Sequence, residues 1–414
     1  MQKIKPFLIL LLIIFLLPIT GCWGLRETDE IAFVMLLGFD KGEKNNLLLT
    51  LSIANPRVAI GGGEGGGDED AEKNREIVSV ETFGSPSMLD LLNTTIDRHI
   101  YLQHANAIIF SEELAEEGLN RWLSQLMRFR EIRGTAQTFI CRGKASDLIQ
   151  DFKPLLELNP AKQMELIRKM STLHGIYPTT QLTDLYDQTK SHSRQAVLPL
   201  VAVHEGETES AKPGLEFRYL AGEVPVASKS KVQHSGAAVL KGDKLVGFLD
   251  GEQARYYLML SGKFGSGVIG IKDPIDGSGF VSVHTQQGQA PKYDLSLDEN
   301  GDLVIDVNLF LEMEVIATDT PNNFEQTDLR PTLEEAFSRQ TEQKCNEVIR
   351  YTQDELGTDI FGFGERVKRE FLTVQDWEDF AWLELYPHVQ VNVNAHSHIR
   401  RTGLLLKTSP SAGG

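Results

Sequence analysis

The chain has 414 residues, of which 41% are hydrophobic, and a formal net charge of −17 at pH 7. This length is enough for two or three domains. So acidic a chain excludes binding to nucleic acid, or to an anionic lipid surface, through its overall charge. With only three cysteines, it is also not a small disulfide-framed protein.

The amino terminus has the pattern of an export signal. Lys3 and Lys5 precede an apolar run from Phe7 to Leu17, which is shorter than the roughly 20 apolar residues of a transmembrane helix. The run leads to Ile19-Thr20-Gly21-Cys22, which matches the bacterial lipobox. We therefore predict a cleaved lipoprotein signal peptide at residues 1–21, lipid on Cys22, and a mature chain of net charge −19 on the outer face of a membrane. An uncleaved anchor or an ordinary signal is the alternative.

Strand and helix patterns alternate through the next part of the chain. Predicted strands cover 31–37, 47–54, 77–82, 105–110 and 135–141, and predicted helices cover 85–98, 114–128 and 144–151. The glycine-rich segment 61–70 contains acidic residues and leads to a strand rather than to a helix that could bind phosphate, so we expect a solvated loop. This alternation favours an α/β or α+β first domain.

The middle of the chain begins with a polar stretch, 203–233, which we predict to be a linker or long loop. Residues 236–248 have the pattern of a β-hairpin, and a helix is predicted at 250–260. The glycines at 265, 267 and 270 match the dinucleotide-binding pattern in spelling, but Pro274 prevents the helix that the pattern requires. We therefore predict no nucleotide site here.

The last part of the chain has the clearest periodicity. Residues 303–315 alternate apolar and polar side chains, which predicts a long half-buried strand. A helix is predicted from 331 to 356, and a second alternating strand from 389 to 399. This order favours a small α+β domain whose helices cover one sheet face. Between this helix and the last strand, Gly362 and Gly364 predict a tight turn. The rings of Phe361 and Phe363 are expected on opposite sides of it.

Patterns for catalysis or metal binding are weak. The sequence contains no Gly-x-Ser-x-Gly elbow and no His-Glu-x-x-His helix. His396 and His398 share a strand face and could bind a metal, but they lack further ligands, so we expect a solvated face. We predict that the chain is not an enzyme and has no catalytic, cofactor-binding or metal-binding residues.

Two further pairs of residues have both a structural and a functional interpretation. Packing in the core is favoured over ligand stacking for Trp377 and Trp382, and burial over a disulfide for Cys141 and Cys345.

A series of short motifs spans nearly the whole chain. They are Cys22–Glu30, Gly38–Lys41, His104, Glu112–Ala115, Arg128–Arg133, Leu240–Gly247 with Glu252, Asp359–Gly364, Trp377, Trp382 and Pro387. In this order and spacing they resemble the C-subunit lipoproteins of spore germinant receptors, the Ger(x)C family. Gly24, where the family often has an acidic residue, and the glycine-rich segment depart from the pattern.

The resemblance implies an α+β fold of three mixed α/β domains, with antiparallel or mixed sheets covered by helices, after the signal peptide. We place these domains at 22–202, 203–292 and 293–414. It also implies a non-enzymatic protein on the outer surface of the spore inner membrane, beside the A and B subunits, which are membrane proteins. There it would support nutrient-triggered germination through protein–protein contact. We favour contacts that do not include the nutrient itself.

Two other functions fit an exported lipoprotein but agree less well with this sequence. A solute-binding lipoprotein of a transport system would have two similar lobes around a cleft, whereas the halves of this sequence differ in pattern. A lipoprotein hydrolase would need a nucleophile and a base, and the sequence offers no recognisable pair.

Overall fold

A computed structural model of the chain describes residues 27–43, 46–55, 75–84, 87–153, 160–206, 217–324 and 326–401. The predicted signal peptide, Cys22 and the glycine-rich segment 61–70 lie outside the described residues, so the predictions for them stay predictions. The described residues form two β-sheets with helices packed on them, which confirms the mixed α/β fold class.

The strands and helices of the described residues are numbered in chain order. The strands are β1 (Ile31–Lys41), β2 (Leu47–Ala54), β3 (Arg75–Thr82), β4 (His99–Tyr101), β5 (Ala107–Ser111), β6 (Gln137–Arg142), β7 (Val197–Val203), β8 (Val232–Lys241), β9 (Lys244–Leu249), β10 (Ser266–Lys272), β11 (Phe280–Leu297), β12 (Leu303–Thr318) and β13 (Gln390–Arg401). The α-helices are α1 (Ser87–Leu92), α2 (Glu112–Glu117), α3 (Asn120–Leu126), α4 (Ala145–Asp151), α5 (Pro160–His174), α6 (Leu182–Gln188), α7 (Gly251–Leu260), α8 (Arg330–Asp354), α9 (Phe363–Val367), α10 (Val374–Asp379) and α11 (Trp382–Leu385).

The first sheet has the strand order β3-β2-β1-β5-β6-β7-β8-β9, and the short β4 pairs with the beginning of β1. Strands β1, β4, β5, β6 and β7 run parallel, whereas the outer strands are antiparallel. All five residues of β5 are buried, because helices cover both faces of the sheet. Helices α2, α3 and α6 pack on one face through residues such as Leu123 and Leu185, and α4 and α5 cover the other through residues such as Leu148 and Met164.

The second sheet has the order β10-β11-β12-β13. Burial alternates along β12 as predicted, and β12 and β13 pair in parallel because α8 connects them. The buried side of α8 includes Leu333, Phe337, Cys345 and Ile349. The predicted strand–helix–strand ending is therefore confirmed.

Helix α8 also covers the edge of β13. Side chains one and two turns apart on the helix accept peptide N–H groups that would otherwise face outward. The pairs are Ala395 with Glu342 at 2.9 Å, Ser397 with Ser338 at 3.2 Å, and Ile399 with Glu334 at 2.7 Å. These bonds satisfy donors that an open edge strand would present for pairing with another chain.

The two sheets share a continuous hydrophobic core. Val197, Ala237, Val239 and Leu249 of the first sheet belong to the same cluster as the buried residues of β12 and α8. The predicted middle segment contributes to both sheets: its hairpin, β8–β9, completes the first sheet, while β10 and most of β11 belong to the second. The division into three domains at 203 and 293 stays a prediction.

Two of the predicted helices differ in the structure, and several observed elements, among them β7, β10, α5 and α6, have no predicted counterpart. Helix α1 ends at Leu92 instead of 98, where turns replace the helix. The predicted helix 114–128 is two helices, α2 and α3, because Gly118 has φ 122° and Leu119 donates its N–H to the Asp243 carbonyl at 2.9 Å. The long strand β11 was not predicted, since its exposed second half lacks a regular apolar face.

Candidate functional site

The first polar cluster lies at the carboxyl end of β1. The Asp40 carboxylate accepts the peptide N–H groups of Ala145 at 2.6 Å and Ser146 at 2.8 Å, at the start of α4. These are donors that the first turn of a helix leaves without an intrahelical partner. Burial raises the pKa of Asp40, and the two backbone hydrogen bonds partly oppose this rise. Asp40 is therefore a buried cap that fixes α4 to β1.

The neighbouring Lys41 ties β1 to α2. Its Nζ lies 2.9 Å from Glu113 Oε1 and 2.5 Å from Glu117 Oε1. Hydrogen bonds to these two carboxylates raise the pKa of Lys41. The structure thus brings together two motifs of the sequence, Gly38–Lys41 and Glu112–Ala115. An adjoining cleft of about 320 Å³ lies at the carboxyl ends of parallel strands, where α/β proteins often bind ligands, but Asp40, Lys41 and Glu113 are already engaged in these contacts.

The Asp359–Gly364 motif and Trp382 form a second cluster, here called the aspartate knot. Oδ1 of Asp359 accepts the N–H groups of Phe361 at 2.9 Å and Gly362 at 3.0 Å. Oδ2 accepts the N–H of Gly364 at 2.8 Å and the indole N–H of Trp382 at 3.0 Å. Asp359 is completely buried, and burial raises its pKa to about 6 although the four hydrogen bonds act in the opposite direction.

The backbone of the aspartate knot depends on its glycines. Gly362 adopts φ 81° and ψ 29°, in the left-handed region, so the predicted tight turn is present. A Cβ on Gly364 would lie 2.3 Å from Trp382 Nε1. The rings of Phe361 and Phe363 stack on each other, with centroids 5.1 Å apart, so the prediction that they lie on opposite sides is wrong. Both rings are buried, which makes this segment part of the core.

The aspartate knot also meets the segment that precedes β7. The N–H of Gln195 donates to the Asp359 carbonyl at 2.8 Å, and Arg194 Nη1 lies 3.6 Å from Glu365 Oε1. A Cβ on Gly364 would lie 2.5 Å from the Ser193 carbonyl oxygen. These contacts join the first sheet to the helical segment beside the second. No periodic or motif signal in the sequence marks residues 193–195 for this role.

A buried ion pair forms a further link between the two halves. Lys344 Nζ on α8 lies 3.3 Å from Glu252 Oε2 on α7, and each side chain is only 10% exposed. Arg218 Nε lies 3.4 Å from the same oxygen. Glu252 is one of the motif residues, and its carboxylate serves this contact.

The amino-terminal edge of the first sheet is the part of the fold nearest Cys22 in sequence. After a 3₁₀ turn at Thr28–Glu30, β1 begins at Ile31, which is in register with His99 of β4. Phe33 and the motif residue His104 pack edge to face, with centroids 5.2 Å apart. Tyr101 completes this aromatic group.

Beside this edge lies the arginine loop, Arg128–Arg133. Glu131 Oε1 is 3.8 Å from His99 Nε2, so the loop adjoins β4. Phe129 and Ile132 are partly buried and pack on the core of the first sheet. The three arginines at 128, 130 and 133 are exposed. The motif therefore places three guanidinium groups on the surface next to the start of β1.

The histidines of the last strand are engaged individually. His396 stacks on Phe310 with centroids 5.3 Å apart, and His398 Nδ1 lies 3.0 Å from Glu334 Oε1. Among the described residues, no group of three or more His, Cys, Asp or Glu side chains is arranged to hold a metal ion.

Trp377 and Trp382 are 3% and 1% exposed and pack in the core, as favoured from the sequence. The two described cysteines, Cys141 and Cys345, are buried and unpaired, so the disulfide alternative is wrong. Burial raises the pKa of both thiols. Such thiols are poor nucleophiles.

Two sheets with one shared core, joined by buried polar contacts, define a two-sheet mixed α/β protein whose motif residues mostly serve internal contacts. Within the described residues, no helix is both long and apolar enough to cross a membrane. A family model described as "Spore germination protein N-terminal domain" matches residues 24–203, and one described as "Spore germination B3/ GerAC like, C-terminal" matches residues 235–403. The chain therefore belongs to the Ger(x)C family of spore germinant receptor C subunits.

The similarity to individual proteins covers most of the chain. Spore germination protein KC of Bacillus subtilis (strain 168) is 24% identical over 412 residues, covering 97% of this chain and 96% of the relative. Spore germination protein B3 of the same organism is 22% identical over 359 residues, covering 85% and 86%. The crystal structure of the GerBC protein shares the fold, with a TM-score of 0.52 and 15% identity over 88% of this chain and 96% of that chain.

Proposed function

We propose that this chain is the lipid-anchored C subunit of a nutrient germinant receptor. It is held by lipid on Cys22 at the outer face of the spore inner membrane, beside the A and B subunits, and is needed for nutrient-triggered germination. It acts by protein–protein contact, without catalytic activity. The observation that carries this proposal is the family match along both halves of the chain.

The site geometry supports a non-catalytic role. The acidic motif residues Asp40, Glu252 and Asp359 are all buried and engaged with backbone N–H groups, cations or the Trp382 indole. These contacts stabilise the fold, so the three motif residues have a structural role and need no catalytic one. The solute-binding alternative is not supported, because the described strands form sheets of nine and four strands instead of two similar lobes.

Co-purification from dormant spore membranes tests the assignment to a receptor. A tagged full-length chain, solubilised in mild detergent, should recover the polytopic A and B subunits in amounts comparable with its own. An untagged strain provides the control for non-specific recovery. Recovery of a solute permease without those subunits would contradict the proposal.

Substitution of Cys22 tests the anchor. Cys22→Ala should abolish incorporation of a labelled fatty acid and release the chain from membranes washed at alkaline pH. Cys141→Ala is the matched control, because that thiol is buried and should leave labelling unchanged. Fatty-acid labelling that persists in Cys22→Ala would show that Cys22 is not the lipidated residue.

A further inference from the structure

The segment that connects Cys22, the proposed lipid site, to the described fold is short. Five residues lead from Cys22 to Glu27, and an extended chain covers at most about 3.5 Å per residue, or roughly 17 Å in total. Glu27 is followed by one 3₁₀ turn and then by β1. If Cys22 carries lipid, as proposed above, the amino-terminal edge of the first sheet is therefore confined to the neighbourhood of the bilayer surface.

The arginine loop lies at this same edge. Ile31, the first residue of β1, is in register with His99, and adjacent strands are about 4.8 Å apart. Glu131 of the loop lies 3.8 Å from His99. Only β4 thus separates the loop from the point at which the tether enters the sheet.

The chemistry of the arginine loop suits phosphate. Arg128, Arg130 and Arg133 are exposed, and none of the three guanidinium groups has an ion-pair partner within the described part of the chain. Phe129 and Ile132 anchor the loop backbone to the core. A planar guanidinium binds phosphate through two parallel N–H donors, which makes arginine the preferred cation for such contacts.

The acidity of the whole chain does not prevent a local contact. At physiological ionic strength the Debye length is about 8 Å, so charges farther from the membrane are largely screened. Glu27, Asp29 and Glu30 stand between Cys22 and β1 in the sequence and are exposed, and their carboxylates oppose binding to an anionic surface. Because these acids offset part of the charge of the three arginines, the contact relies on the tether to hold the arginine loop within reach of the membrane.

We propose that the arginine loop contacts anionic phospholipid headgroups and so fixes the orientation of the tethered chain on the membrane. The lipid supplies attachment, and the three arginines determine which edge of the first sheet faces the bilayer. The proposal rests on the anchor at Cys22 assigned above.

Attaching the acyl chain chemically allows the membrane contact of the arginine loop to be measured without lipidation in the cell. Residues 22–414 are coupled through the Cys22 thiol to a maleimide that carries one acyl chain. Cys141 and Cys345 are buried, so Cys22 is the reactive thiol. Because one acyl chain binds membranes only marginally, partitioning reports additional contacts. Vesicles of 30% phosphatidylglycerol in phosphatidylcholine are compared with vesicles of phosphatidylcholine alone.

The test variant carries Arg128→Gln, Arg130→Gln and Arg133→Gln. Each basic residue near an anionic surface favours binding by about five-fold, so partitioning to the anionic vesicles should fall by up to about 100-fold. Partitioning to phosphatidylcholine should change less than two-fold, and Arg→Lys at the same three positions should retain most of the binding. The control triple variant Lys263→Gln, Lys368→Gln and Arg369→Gln makes the same charge change at exposed positions associated with the second sheet and should bind like the wild type.

Thermal unfolding of each variant verifies that its fold is intact. Equal losses in the two triple variants would overturn the proposal, since total charge alone would then explain binding. An unchanged partition in the test variant would also overturn it. If that variant instead lost co-purification with the A and B subunits in spores, the loop would be a protein contact. None of these outcomes bears on whether Cys22 is lipidated, because the tether is attached chemically.

Discussion

Trp382 donates its indole N–H to the carboxylate of Asp359, which lies 23 positions earlier in the chain, at 3.0 Å and within the core. The carbonyl of the same aspartate accepts the N–H of Gln195, from the segment that enters the first sheet. One residue therefore connects three distant parts of the sequence. Its environment should control the stability of the whole chain.

The stability of the protein should depend on the ionisation of Asp359. Its pKa is raised to about 6 in the folded chain, from an ordinary value near 3.8. As the pH rises from about 4 to 6, the unfolded carboxyl loses its proton before the folded one, so this group's contribution to the free energy of unfolding decreases by about 2 kcal/mol. Asp359→Asn removes this dependence. We expect the stability of the wild type relative to this variant, measured by denaturant unfolding, to fall across that pH interval.

The amide of Asp359→Asn also places an NH₂ group against N–H donors, so the variant should be less stable than the wild type at pH 4. A rise in relative stability of the wild type between pH 4 and 6 would show that the four hydrogen bonds outweigh the effect of burial. Asp302→Asn, at an exposed turn, provides a reference for loss of a surface carboxylate.

Gly362→Val should destabilise the protein by about 2 kcal/mol, because a β-branched residue is strained at φ 81°. Its Cβ would also lie 3.0 Å from Arg194 Cδ. Gly206→Val is the matched control, since a Cβ there meets no atom within 4 Å. Chemical denaturation of both variants measures the difference. Wild-type stability of Gly362→Val together with lost receptor assembly would instead make this segment a docking site.

Lys344→Met should lower the free energy of unfolding by about 3 kcal/mol, because it leaves the buried Glu252 carboxylate without its nearest cation. Adding Glu252→Gln should recover part of the loss. Arg339→Met on the same helix removes an exposed ion pair with Glu335 and should cost less than about 1 kcal/mol. A double-mutant cycle measured by urea unfolding gives the coupling energy between Lys344 and Glu252. If the effects of the two single substitutions simply add, a buried pair of this strength is excluded.

Removal of residues 61–70 should change stability little. The connected strand ends, Ala54 and Arg75, are in register, so the connection closes between neighbours. Halving its length favours closure by only about 0.6 kcal/mol. The melting temperature of the deletion variant, compared with one in which 61–70 is replaced by a Gly/Ser linker of equal length, checks this. A loss of several degrees in both would mean that the segment packs or binds.

The sequence identified much of the local structure. The alternation at 303–315 predicted β12, and the helical period after Pro331 predicted α8, because a long element buried on one face repeats its apolar residues at its own period. The same rule failed for 114–128, where an apolar period continues through two helices. Gly118 was the available sign of the break, yet glycine inside a helical pattern does not fix a boundary.

The sequence alone identified the family motifs, the mixed fold class, strands β12 and β13 and helix α8, and it is the basis of the lipid site proposed at Cys22. The folded chain is needed to see that the β8–β9 hairpin completes the first sheet, that residues 193–195 meet the aspartate knot, and that the arginine loop adjoins the start of β1. Hydrophobic burial leaves a periodic pattern in the sequence, whereas a hydrogen bond or ion pair between distant segments depends on the path of the chain and leaves no such pattern.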